Sequence, residues 1–95
     1  MKTKRDIRAE IRKFQRLGLG AEGGHDELPL SRRPTFETGA IGALRDALTV
    51  PTRELRRWTA REMAGCTDAL AAEDSPNARA FYIGRRAALV WMRRD

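Results

Sequence analysis

Residues 51–94 read PTRELRRWTAREMAGCTDALAAEDSPNARAFYIGRRAALVWMRR, and the punctuation inside this stretch decides the fold. Asp74-Ser75-Pro76-Asn77 ends one helix and begins another. Ser75 is a good N-cap, and Pro76 suits the first helical position, where an N–H would have no intrahelical partner. Before this break, Leu55, Trp58, Met63, Cys66 and Leu70 recur at helical spacing and predict a helix over 51–73. Pro51 is tolerated in its first turn, and Gly65 weakens its middle by about 1 kcal/mol. After the break, Phe81, Gly84, Ala87, Ala88 and Trp91, flanked by Ile83 and Val90, predict a helix over 76–94 with that broad face inward. A turn this short predicts antiparallel packing, a helical hairpin 51–73/76–94.

Working outward, residues 39–48 predict a short helix with Thr38 as its cap and Ile41, Leu44 and Leu48 on one face. Val50-Pro51 breaks it, because a proline disfavours helix in the residue before it. Residues 18–38, GLGAEGGHDELPLSRRPTFET, hold four Gly and two Pro and keep no period, so they read as an extended loop. Residues 3–17 predict an amphipathic helix. Thr3 and Asp6 form a capping-box-like start, and Ile7, Ile11, Phe14 and Leu17 form one apolar stripe. No segment reads as a strand. The expected fold class is all-α: a short basic N-terminal helix, a long loop, a short helix and a C-terminal antiparallel hairpin. The expected organisation is an arm at 1–17, a loop at 18–38 and a helical body at 39–95.

The chain has 95 residues, enough for one small core. Its formal net charge of +6 is unevenly placed. Residues 1–17 carry seven basic and two acidic side chains, and residues 75–95 carry five Arg and one Asp. The 57 residues between carry seven Arg and ten acids. A basic segment at each end predicts contact with polyanions or acidic partners. The guanidinium forks onto phosphate and carboxylate alike, and Arg outnumbers Lys sixteen to three. A single Cys cannot form an internal disulfide, and Cys66 lies on an apolar stripe, so it is expected in the core. No apolar run approaches the ~18 residues of a membrane span, and the charged start offers no signal-peptide h-region.

No cluster reads as an active site, so no enzyme activity, cofactor or metal is expected. His25, beside Asp26 and Glu27, has no second His or Cys near it in sequence. Gly18, Gly20, Gly23 and Gly24 lack the Lys-Ser/Thr of a phosphate loop. The run Arg79, Phe81, Tyr82, Arg85, Arg86 has the composition of a base-stacking strip, but Phe81 fits the core equally. Candidate partner-docking residues are the apolar Ile7, Ile11, Phe14, Leu28, Leu30 and Phe36 of the arm and loop. Candidate nucleic-acid contacts are Arg5, Arg8 and Arg12 on the first helix and Arg53, Arg56 and Arg57 downstream.

Two functions fit these candidates. Residues 41–58 place Leu44, Leu48, Val50, Leu55 and Trp58 where a helix-turn-helix needs apolar side chains, with Thr52, Arg53, Arg56 and Arg57 outward. Arg45 and Thr49 stand where that motif usually has a small residue and a glycine. This predicts a DNA-binding regulator, dimeric through the last helix. The other reading starts from residues 53–92, whose hairpin ends in a Gly-Arg-x-Ala-Ala-Leu type helix at 84–89. This stretch resembles the helical hairpins of small virion proteins of short-tailed phages. The resemblance implies a non-enzymatic head, portal or tail accessory component in a virion or host cytoplasm, present in several copies. It would dock on neighbouring subunits through its N-terminal helix and loop and touch nucleic acid non-specifically. The charge split favours this assembly reading, because the helix-turn-helix candidate lies in the acidic-leaning middle.

Overall fold

The computed structural model describes residues 1–17 and 30–94, and among these the protein is all-α. Helix α1 spans Lys4–Leu17, α2 Arg33–Thr49, α3 Leu55–Ala72 and α4 Pro76–Arg93. Short 3-10 turns at Leu30–Arg32 and Thr52–Glu54 lead into α2 and α3.

Local chemistry sets most of these ends. The Thr3 N–H donates to Asp6 Oδ2 at 3.0 Å and the Asp6 N–H to Thr3 Oγ1 at 3.2 Å, a reciprocal capping box. These bonds from Thr3 hold the Asp6 carboxyl below its ordinary range. Ser75 Oγ accepts from the Ala78 N–H at the start of α4. Arg79 then reaches back, donating to the carbonyls of Leu70 at 2.7 Å and Glu73 at 3.2 Å. It thereby satisfies backbone acceptors that the end of α3 leaves without helical partners. Arg79 therefore serves the turn rather than a base-stacking strip.

Two boundaries differ from the sequence reading. Helix α2 starts at Arg33, so 33–38 is helix and not loop. Pro34 occupies the first turn, where proline costs nothing, and is helix-starting punctuation. Thr38 is inside the helix, and its hydroxyl donates back to the Pro34 carbonyl at 2.9 Å instead of capping. Helix α3 starts at Leu55, after Val50-Pro51 and a 3-10 turn. Residues 18–29, which include His25, Leu28 and the loop glycines, lie outside the described residues.

Helix α4 is the hub, with α2 and α3 packed on it and α1 packed on α2. Its inward row is Ala80, Gly84, Ala88 and Met92, with Leu89 beside it. The expected aromatic face is turned aside: Phe81 and Trp91 are only half-buried. The reason is mutual fit. Helix α2 presents its own small residues, Gly39, Ala40, Ala43 and Ala47, and the two backbones come into contact. A Cβ on Gly39 would overlap the Phe81 carbonyl oxygen and lie 2.9 Å from its carbon. A Cβ on Gly84 would overlap the Phe36 carbonyl oxygen and lie 2.7 Å from its carbon.

Helices α2 and α4 run in the same sense. Arg32 bonds Asn77 near their starts, and Asp46 pairs with Arg85 further along both. Helices α3 and α4 run oppositely: Leu70 meets Arg79 beside the turn and Glu62 meets Arg85 beyond it. Arg85 is thus the polar junction of three helices, 3.0 Å from Asp46 on α2 and 2.7 Å from Glu62 on α3. Burial would pull its guanidinium pKa down, but the hydrogen bonds it donates to Glu62 and Asp46 outweigh that and hold it above its ordinary value. Arg79 and Arg86 of the candidate stacking strip are exposed. The Arg79 guanidinium is engaged with the turn and Arg85 with Asp46 and Glu62, which leaves Arg86 as the strip's exposed arginine outside these bonds.

The core corrects the docking assignments. Ile7, Phe14 and Phe36 are at most 2% exposed and Ile11 is 9% exposed, all against this same chain. They are core residues and offer nothing to a neighbour. The α1 stripe lies against α2, and the Lys2 N–H donates to the Met92 carbonyl at 2.7 Å, so residues 1–17 are part of the body and not an arm. Leu30 opens the 3-10 turn before α2. Cys66 is buried as expected, and burial pushes its thiol pKa up.

Gly65 contrasts with the crossing glycines. It is exposed in mid-α3, and a Cβ there would meet nothing within 4 Å. Gly65→Ala is expected to stabilise the protein by about 0.5–1 kcal/mol, through backbone entropy alone. Urea denaturation followed by far-UV circular dichroism measures this, and a destabilised variant would contradict it.

Candidate nucleic-acid interface

The six candidate arginines come from two places far apart in sequence. Arg5, Arg8 and Arg12 are exposed on α1, and Arg53, Arg56 and Arg57 are exposed at the start of α3. The fold joins the two regions through residues 1–4. A groove of about 560 Å³ is lined by Lys2 and Lys4 on one wall and by Thr52, Arg53, Leu55 and Arg56 on the other. Among the described residues no acidic side chain lines it. Lys4, Arg8 and Arg12 follow one another at four-residue spacing, so this basic row runs from the groove along one side of α1.

A second groove of about 400 Å³ is lined by Lys2, Asp6, Glu10, Lys13, Arg16 and Trp91. Its charges nearly balance, so it is the weaker anion site of the two. Lys2 belongs to both grooves, and its ammonium lies 5.3 Å from the centre of the Trp91 ring. A cation held over an aromatic face gains about 0.5–1 kcal/mol at an exposed site, enough to bias where that side chain rests.

Sequence reasoning found Arg53 and Arg56 but missed Lys2 and Lys4 as their companions. The only available signal was the high charge of the first residues. Nothing local tells that residue 2 is tied to residue 92 and so brought beside residue 53.

The helix-turn-helix candidate has its apolar positions turned inward. Leu44 and Leu55 are buried, Leu48, Val50 and Trp58 are half-buried, and Thr52, Arg53, Arg56 and Arg57 face out. Its two helices nevertheless meet α4 far more than each other. Among the described residues no three His, Cys, Asp or Glu side chains gather as metal ligands, and no helix is long and apolar enough to cross a membrane. No protein-family model matches the chain, and neither a curated protein nor a solved structure matches it.

Proposed function

We propose that this protein is a small non-enzymatic accessory component of a larger assembly that contains nucleic acid, of the kind found at the head–tail or portal region of phage virions. Its localisation would then be the virion or the host cytoplasm, in several copies. The observation that carries this reading is the division of labour between residue types. Ile7, Ile11, Phe14 and Phe36 of α1 and α2 are buried inside the chain, while the arginines of α1 and early α3 stand outside, Arg53 and Arg56 lining a groove together with Lys4. A body built so docks by charge on polyanions. Burial of Ile7, Ile11, Phe14 and Phe36 takes these four side chains out of an apolar docking route, and the exposed arginines support an electrostatic one.

Charge-only contact implies weak, sequence-independent binding that falls steeply with salt. Non-specific dissociation constants of this kind lie at about 10⁻⁴–10⁻⁶ M at physiological salt. Two unrelated duplexes of equal length should therefore bind alike in a fluorescence anisotropy titration. Sedimentation after mild cross-linking of a native lysate should recover the protein in particles far larger than one chain. Recovery of the free chain alone counts against the assembly.

A second reading, a DNA-binding regulator, is favoured by one observation: Arg53, Arg56 and Arg57 are exposed together at the start of a helix. A nanomolar complex with one sequence, abolished by Arg56→Ala and Arg57→Ala, would establish it and displace the first reading.

A further inference from the structure

We propose that the basic groove between residues 1–4 and the first turn of α3 is a seat for a phosphodiester chain, the backbone of a nucleic-acid strand. Three cationic side chains, Lys4, Arg53 and Arg56, come together there from two separate elements, with no carboxylate among the described residues of the groove's lining. Like charges gathered around a concavity raise the local potential, which favours the entry of an anion. The groove is also pre-formed. Lys2 is tied to Met92 by its backbone and to Trp91 by its ammonium, and the Thr3–Asp6 capping box fixes the start of α1. A wall already in place loses little freedom on binding.

The two walls suit different parts of the anion. The guanidinium groups of Arg53 and Arg56 can fork onto two oxygens of one phosphate, while Lys4 acts as a point charge. Leu55, only 3% exposed, gives the groove an apolar floor, and Thr52 is exposed at its edge with a hydroxyl. At about 560 Å³ the groove has room for a nucleotide-sized group. The row Lys4, Arg8, Arg12 leads out of it along α1, so further phosphates of the same strand find charge beyond the groove. A single phosphate or mononucleotide would leave that row unused, which points to a chain.

This inference rests on the reading of the protein as a nucleic-acid-contacting component, and one experiment separates the two. The full chain is titrated with a labelled oligothymidylate and a labelled duplex at several salt concentrations, with inorganic triphosphate as competitor. The double variant Arg53→Ala/Arg56→Ala should weaken binding to every sequence alike and reduce the slope of log K against log salt by about 2, near one for each lost phosphate contact. Arg53→Lys/Arg56→Lys keeps the charge and should keep the slope. Arg86→Ala/Arg93→Ala, at exposed positions of α4, should leave the slope unchanged. All these positions are exposed, and an unchanged melting temperature confirms folding. An unchanged slope in the Arg53/Arg56 double alanine variant, with oligonucleotide still bound, overturns the seat and leaves the broader reading standing. Triphosphate binding tighter than the oligonucleotide overturns the chain in favour of a small polyphosphate. Wild-type protein that binds no oligonucleotide at all overturns both.

Discussion

Gly84→Ala lowers the stability of this protein by about 3 kcal/mol, although alanine is the better helix former. Two effects compete at this position. Replacing an interior helical glycine by alanine gains about 0.5–1 kcal/mol of propensity. Against that, the new methyl would occupy the place of the Phe36 carbonyl oxygen and lie within 2.9 Å of the Phe36 Cα. The obstacle is backbone in the first turn of α2, so relief requires that two helices separate rather than one side chain turn aside. Overpacking of this kind typically costs 1–3 kcal/mol and sometimes more, which places a backbone clash at the upper end. Gly39→Ala meets the Phe81 carbonyl in the same way and should behave alike. Opening the crossing once relieves part of both clashes, so the double variant should cost less than the two singles together. Urea denaturation of the single and double variants measures this. A Gly84→Ala protein as stable as wild type would mean that α2 and α4 do not cross so closely.

Phe14→Ala should cost about 3–5 kcal/mol, the usual penalty for emptying a phenylalanine site in a core. Total stabilities of natural domains lie at about 5–15 kcal/mol, and a chain of this size falls toward the lower end, so most of the molecule's stability is at stake. The result also discriminates between two pictures of residues 1–17. If α1 were an arm resting on a neighbour, the isolated protein would tolerate the change as it tolerates a surface substitution. Phe14 is 2% exposed and shares one core with Leu44, Leu55, Leu89 and Met92, which come from three other helices. We therefore expect a single cooperative transition at much lower urea, with α1 and the other helices lost together. Arg12→Ala, two residues away on the opposite, exposed face, should stay within about 0.5 kcal/mol of wild type. Equal midpoints for the two variants would return α1 to the status of an arm.

Both predictions concern what local sequence shows poorly. Caps and turns are legible because their chemistry acts over three or four residues. Thr3 and Asp6 announce the start of α1, and Ser75-Pro76 announces the start of α4, and both are found as capping interactions. Pro34 was legible too, but it was open to two meanings. A proline ends a helix when it follows one and begins a helix when it precedes one, and the glycine-rich stretch upstream suggested the wrong choice. The inward face of α4 was misplaced for a different reason. Hydrophobicity favours Phe81 and Trp91 as the buried residues, whereas the tight crossing selects small ones.

The candidate interface divides in the same way. That Arg53 and Arg56 would be exposed followed from the apolar spacing of Leu55 and Trp58. That Lys2 and Lys4 face them across a groove did not, because some fifty residues separate the two walls and no pattern within either one refers to the other. The apolar docking residues erred through the opposite limitation: a stripe shows that a helix must cover one face but not with what.

By itself, then, the sequence determined four helices, the capping chemistry of α1 and α4, their amphipathic stripes and an excess of positive charge at each end of the chain. These follow from interactions between near neighbours and from composition. Only the tertiary structure decided that α1 and Phe36 belong to the core, that two glycines let α2 and α4 touch, and that basic residues from both ends of α1's approach to α3 share a groove. Those outcomes depend on which surfaces meet across the molecule. Such pairings are chosen by shape and close packing over the whole chain, and no local stretch of residues contains them.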